Sequence, residues 1–221
     1  MSKRRWAGGG DNDEALLRRD HQRAEGLRGR QVDAPVTYLR VDLRSGENAK
    51  PPFLALNPNG KVPVLETAPG VTLWESNAIM CHLARAAGSD LWPNDARQIE
   101  ALRWMFWNSE HFSRHAARLY FENLVKSLFG LPPGDPAALE EAVGFVRTYG
   151  AVLNAHLKGR RWLVGDTLTI ADFAVAASLP YAEGARIPID EFPEVLRWHA
   201  RLNEIPAWRV PFPETKAEAA A

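Results

Sequence analysis

Cysteine is almost missing from this chain: Cys81 stands alone among 221 residues. One thiol excludes an internal disulfide framework and a cysteine-based zinc site, and it suits a reducing cytosol. A surplus of charge is missing as well, with 27 basic against 27 acidic residues. Neither nucleic acid nor a membrane surface is therefore an expected partner. No apolar run approaches the roughly 18–20 residues of a transmembrane helix. The charged N-terminus lacks the apolar stretch of a secretory signal. Serine, tyrosine and cysteine are absent from residues 3–37, so that segment offers none of these side chains for catalysis. What the chain has in quantity is tryptophan, with eight residues, several in its second half where they can line an aromatic cavity. Its length suits one large domain or two small ones. Its 46% apolar and 24% charged content is ordinary for a globular protein.

The most informative stretch runs from Asn57 to Ile79. Asn57-Pro58-Asn59-Gly60 is dense in turn formers, so the chain is expected to reverse there. Val62-Pro63-Val64-Leu65 follows as a short apolar strand, with proline at its start because proline has no N–H to give a ladder. An X-Pro bond adopts the cis form at modest cost. A cis bond at Val62–Pro63 would turn the Val62 N–H and C=O outward, toward an extended peptide ligand. Val71-Thr72-Leu73-Trp74 reads as a second strand, hairpinned to the first across Thr67 to Gly70. Glu75-Ser76 marks the passage into a helix beginning near Asn77, with Ser76 as its N-cap. The free N–H groups there favour a carboxylate or phosphate. A carboxylate at Ser76 and an amine at Glu75 would together hold an amino-acid head group. A plain hairpin followed by a capped helix uses the same residues, so composition alone leaves both readings open.

The two motifs in this order resemble the glutathione-binding half of the cytosolic glutathione S-transferases. In that family the valine before a cis-proline pairs with the cysteinyl backbone of glutathione, and a Glu/Asp-Ser pair holds its γ-glutamyl end. The resemblance implies an α+β thioredoxin-like N-terminal domain over 32–88, an all-helical bundle domain over 94–213 and a disordered tail over 214–221. It assigns glutathione binding to Val62, Pro63, Glu75 and Ser76, with Lys61 near the glycyl carboxylate. Lys61 reads equally well as a solvated surface lysine. Relatives often carry a basic pair near Asn48-Ala49, where only Lys50 is close here.

Residues 1–31 depart from the family pattern. The expected first strand and first helix are not recognisable there: Gly8-Gly9-Gly10 and Asp-Asn-Asp-Glu lead into an arginine-rich run, which reads as a polar, disordered arm. The family's first strand is central in its sheet, and the loop after it carries the Ser, Tyr or Cys that activates the glutathione thiol. Ser2 is the only such residue before Tyr38. Tyr38 itself falls on the next strand, Val36 to Leu43. No thiol-activating residue is therefore assigned.

From Asn77 the chain is expected to be helical. Ile79, Met80, Leu83 and Ala84 form the buried side of the first helix. Cys81 lies mid-helix with neither a helix N-terminus nor a basic neighbour placed to depress its pKa, which reads as a packing residue rather than a nucleophile. After Leu91-Trp92-Pro93, a linker, a long amphipathic helix is expected from Arg97 to about Leu128. Trp104, Trp107, Asn108 and His111 on its face are the candidates for an electrophile pocket, although a tryptophan stripe serves equally as core. His111 and His115 are four apart, but no third ligand accompanies them, so no metal is expected. Asp135-Pro136 reads as an N-cap and first helical position. Thr169-Ile170-Ala171-Asp172 reads as a capping box with Leu168 and Phe173 at the staple positions. The box and the closing Ile205-Pro206-Ala207-Trp208 resemble the family's C-terminal domain.

The resemblance implies a cytoplasmic, dimeric detoxification enzyme that binds glutathione as substrate and conjugates its thiol to a small electrophile. A non-catalytic glutathione- or peptide-binding member is the alternative, since the thiol activator is not found. A glutathione-dependent thiol–disulfide reductase ranks last, because no cysteine stands in the N-terminal segment.

Overall fold

The computed structural model describes residues 4–9 and 36–209. Two compact units emerge, Met1–Ser89 with Asn203–Ala221, and Asp90–Leu202.

The first unit is built on four strands: β1 (Arg4–Gly9), β2 (Val36–Val41), β3 (Val64–Ala68) and β4 (Val71–Trp74). Their order across the sheet is β2-β1-β3-β4. β1 is parallel to β2 over six residue pairs and antiparallel to β3 over three. A first strand does exist, then, and it is central. Its sequence, Arg-Arg-Trp-Ala-Gly-Gly, has no apolar/polar alternation, which is why periodicity misses it. Ladder bonds on both edges define it, and backbone groups make those bonds whatever the side chain. The expected first helix falls outside the described residues.

Helix α1 (Pro51–Leu54) begins with two prolines, whose missing N–H groups are harmless in a first turn. It delivers Phe53 to a small core with Val41 and Val64, against which Leu43 and Val62 pack. β3 starts at Val64, two residues later than expected, because Val62 and Pro63 are not yet in the ladder. β3 and β4 pair through a bulge between Glu66 and Ala68. Helix α2 (Ser76–Ala86) follows, with Ile79, Met80, Leu83 and Ala84 buried.

The second unit is helical. The expected long helix forms, but its hydrogen bonding changes twice. α3 (Arg97–Trp107) passes into a π-helical turn over Asn108–Phe112, then α4 (Ser113–Tyr120), a second π-turn over Phe121–Val125 and a last turn at Lys126–Leu128. A π-turn inserts an extra residue per turn and re-aims the side chains beyond it. α5 (Pro136–Leu157) is capped by Asp135, whose carboxylate accepts from the Ala137 N–H at 3.0 Å. Within α5, Gly150 lets Phe192 come close: a Cβ there would stand 2.4 Å from the phenyl ring. α6 (Ile170–Ala176) is buried throughout, and α7 (Pro193–Leu202) brings fully buried Trp198 against it.

Asp172 organises this unit. Its carboxylate accepts from the N–H groups of Leu163 and Thr169 at 2.9 Å each, the Thr169 hydroxyl at 3.1 Å and the Trp198 indole N–H at 3.0 Å. The capping box thus also ties a loop and a second helix to the start of α6. Burial pushes the carboxyl up from 3.8 to about 6, and these hydrogen bonds oppose the shift. The folded state therefore retains a proton that the unfolded chain releases between about pH 4 and about pH 6. Stability from this group is full below about pH 4 and is lost as pH rises through about 6. Relative to Asp172→Asn, which cannot ionise, wild-type stability should fall by about 3 kcal/mol across that window. Urea unfolding of both proteins from about pH 4 to 8 checks this, and a constant difference would refute it.

Candidate functional site

Three chain segments leave the sheet of the first unit at the same end. Val64 pairs with Trp74 and with Ala7. Val62 lies two residues beyond these pairs on β3, Ser76 two residues beyond on β4, and Gly9 two residues beyond on β1. The antiparallel registers therefore gather the Val62–Pro63 loop, the start of α2 and the exit of β1 at one edge.

The Val62–Pro63 bond is cis. The Val62 side chain is held against Val41, Phe53 and Val64, so the loop is anchored from below. The preceding turn is tied by side-chain amides. Asn57, only 2% exposed, donates from Nδ2 to the Lys61 carbonyl at 2.6 Å and accepts on Oδ1 from the Asn59 N–H at 3.0 Å. Asn48 donates to the Gly60 carbonyl at 2.8 Å. Gly60 has φ +60°, and a Cβ there would also meet the Asn48 carbonyl at 3.2 Å, so glycine fits twice over. The Lys61 side chain is exposed.

Glu75 occupies φ 71°, ψ 114° and is the N-cap of α2, its carbonyl accepting from the Ile79 N–H at 2.9 Å. The cap thus lies one residue earlier than expected, and Ser76 is the first helical residue. The reason is the backbone: the positive φ at Glu75 turns the chain before Ser76 is reached. For a residue with a side chain this conformation costs on the order of 1–3 kcal/mol and is retained where the surroundings impose it. The first turn of the eleven-residue helix lies at the positive end of its dipole, beside an exposed Glu75 and a half-buried Ser76.

In the second unit the four pocket candidates have different fates. Trp104 is buried and meets Trp107 edge-on at 5.0 Å and His156 at 4.4 Å between ring centroids. Asn108 is buried, its amide donating to the Ala174 carbonyl and accepting from the Ser113 hydroxyl, both at 3.0 Å. That side chain joins the end of α3 to α6. Trp107 and His111 are half-buried, and His111 stacks on Tyr149 at 4.9 Å. His115 stacks on Phe145 at 4.3 Å. Burial and the neighbouring Arg114 hold the His115 imidazole below its usual pKa. The two histidines are partners of aromatic rings, and among the described residues no cluster of three or more His, Cys, Asp or Glu is placed to hold a metal. Asn48, Asn57 and Tyr149 escape sequence reading. Asn57 has a weak signal, as the first residue of a turn whose side chain can mimic a backbone bond. Tyr149 has one in spacing: Phe145 and Tyr149 repeat the four-residue interval of His111 and His115.

Two family models match the chain: glutathione S-transferase, N-terminal domain, over residues 27–85, and glutathione S-transferase, C-terminal domain, over residues 119–206. A glutathione S-transferase of Hyoscyamus muticus is 32% identical over 187 residues, covering 81% of this chain and 86% of the relative. The chain belongs to the glutathione S-transferase family. GstB of Escherichia coli strain K12, a glutathione S-transferase, is 33% identical over 184 residues, with 81% and 86% covered. Among solved structures, a possible glutathione S-transferase from Rhodopseudomonas palustris superposes with TM-score 0.80 at 30% identity, covering 96% of this chain and all of the other. One from Pseudomonas fluorescens gives TM-score 0.78 at 27% identity, with 93% and 96% covered. The thioredoxin-like unit and the helical unit are those of this family.

Cys81 stands apart from this edge, on the middle turns of α2. Burial pushes its thiol up from 9.0 to about 11. Its thiolate fraction at neutral pH is then about a hundredfold below that of an unshifted thiol. An aromatic disulfide reagent should accordingly label the native protein about a hundred times more slowly than the urea-unfolded chain. Equal rates would show that Cys81 is reactive in the fold.

Proposed function

We propose that this transferase-family chain binds glutathione at the edge formed by Val62, Pro63, Glu75 and Ser76, and conjugates its thiol to a small electrophile. The observation that carries the reading is the convergence of a cis-proline loop and a helix N-terminus at one end of the sheet. An extended tripeptide with a carboxylate and an amine at its γ-glutamyl end matches those groups. Val62 would pair with the cysteinyl backbone, the first turn of α2 and the Ser76 hydroxyl would take the α-carboxylate, and Glu75 the ammonium. Lys61 would reach the glycyl carboxylate. Trp107 and His111, with Trp104 behind them, would form the apolar wall for the electrophile in the helical unit. Asn108 would contribute by holding α3 in place. A homodimer acting in the cytoplasm in detoxification fits this family. Among the described residues no helix is long and apolar enough to cross a membrane.

One observation favours a second reading, a non-catalytic glutathione- or peptide-binding member. β1 ends at Gly9, at the same edge as Val62 and Ser76, and residues 3–36 contain no Ser, Thr, Tyr or Cys. The segment after β1 therefore has no hydroxyl or thiol to donate to a glutathione sulfur. A free thiol with pKa about 8.5 is little ionised at neutral pH, so the difference between the readings is the thiolate itself.

Titrating the protein with glutathione while following thiolate absorbance in the far ultraviolet tests both. Saturable binding with a thiolate band at neutral pH supports the transferase. Saturable binding without one supports the binding module. Ser76→Ala should weaken binding about tenfold by removing a charge-assisted hydrogen bond. Unchanged affinity in this variant would remove Ser76 from the site.

A further inference from the structure

The loop before Pro63 carries more hydrogen bonding than a turn requires. Two consecutive carbonyls, of Gly60 and Lys61, are each taken by a side-chain amide, from Asn48 at 2.8 Å and Asn57 at 2.6 Å. The second matters most. The Lys61 carbonyl and the Val62 N–H belong to one peptide unit. That bond is trans, since the only cis bond among the described residues is Val62–Pro63. A trans peptide is planar, with its C=O and N–H on opposite sides. When Asn57, buried to 2% exposure, draws the Lys61 carbonyl inward, the Val62 N–H must point away from it, out of the fold. The other face of Asn57 is anchored too, its Oδ1 accepting from the Asn59 N–H at 3.0 Å and the Asn59 amide at 2.9 Å. The amide cannot rotate to release Lys61 without breaking three contacts. The Val62 side chain adds a second restraint by packing on the Val41, Phe53 and Val64 core.

We propose that Asn57 is a positioning residue for the ligand: its side-chain donor sets the direction of the Val62 N–H. This rests on the glutathione reading for the identity of the ligand, but the orientation of the peptide is a property of the free protein. A recognition peptide held before the ligand arrives spares the ordering cost of binding. Asn57 touches no ligand, and its effect passes through one peptide plane.

The decisive comparison is Asn57→Asp against Asn57→Ala, with Asn59→Ala as control. Aspartate keeps the acceptor for Asn59 and so preserves the turn, but it has no donor for Lys61. If Asn57 serves only the turn, the aspartate variant behaves like wild type. If it positions Val62, the aspartate variant behaves like alanine. Two readouts decide, the Val62 amide resonance in the free protein and the dissociation constant for glutathione. Asn57→Ala and Asn57→Asp should both displace or broaden the Val62 amide signal and weaken glutathione about tenfold or more, while Asn59→Ala changes either little. Asn48→Ala, which frees only the Gly60 carbonyl, should give a smaller change of the same kind. It supplies the measurement if the Asn57 variants do not fold. A Val62 resonance that is unmoved in Asn57→Asp, or in Asn48→Ala if that is the variant measured, overturns the proposal. A wild-type protein that fails to bind glutathione, yet whose Val62 resonance moves in the variants, overturns the glutathione reading and leaves the positioning role standing.

Discussion

The first unit depends on a strand bonded along both edges. β1 lies between β2 and β3, and its register with each determines where all the other chains emerge. Because β1 runs parallel to β2 and antiparallel to β3, the ends of β1, β2 and β4 and the beginning of β3 share one edge. The candidate site is a consequence of that arrangement: segments far apart in sequence meet because backbone ladders allow no other alignment. Arg4 to Gly9 has no pattern of its own, and the strand takes its place through the amide groups that every residue carries.

In the helical unit the organising element is a charge-capable group rather than a backbone ladder. Asp172 is buried completely and receives four hydrogen bonds, from a loop, from its own helix start and from Trp198. A buried carboxyl is costly unless its acceptor positions are filled. Here they are, and the four donors come from three different parts of the chain. Both units thus use polar satisfaction to set the relative placement of elements that apolar packing alone would leave free to slide.

Much of this was legible in advance. The Asn57–Gly60 turn, the proline at the head of a strand, the hairpin across Pro69-Gly70, the Asp135 cap and the Thr169–Asp172 box each follow from local chemistry. What local chemistry misses is non-local. β1 is invisible because its stability comes from partners thirty and sixty residues away. The π-turns in the long helix are invisible because no proline or glycine marks them in the sequence. Ser76 is a good capping residue by type, yet Glu75 takes the cap because of a backbone angle that no side-chain preference foretells. The amide bonds of Asn48 and Asn57 are hidden for a related reason, since a turn-forming asparagine looks the same whether its side chain faces water or a neighbouring carbonyl.

Glu75 illustrates a conflict between two kinds of selection. Its φ of 71° with ψ of 114° lies where a Cβ adds strain, so glycine, lacking one, is strained less than any other residue. A search for greater thermal robustness would favour glycine at this position, relieving the backbone while removing a carboxylate from the edge of the sheet. Retaining glutamate keeps the negative charge and accepts a less stable turn. Under the proposed glutathione reading, position 75 is therefore a point at which robustness and ligand retention can be traded against each other by one substitution.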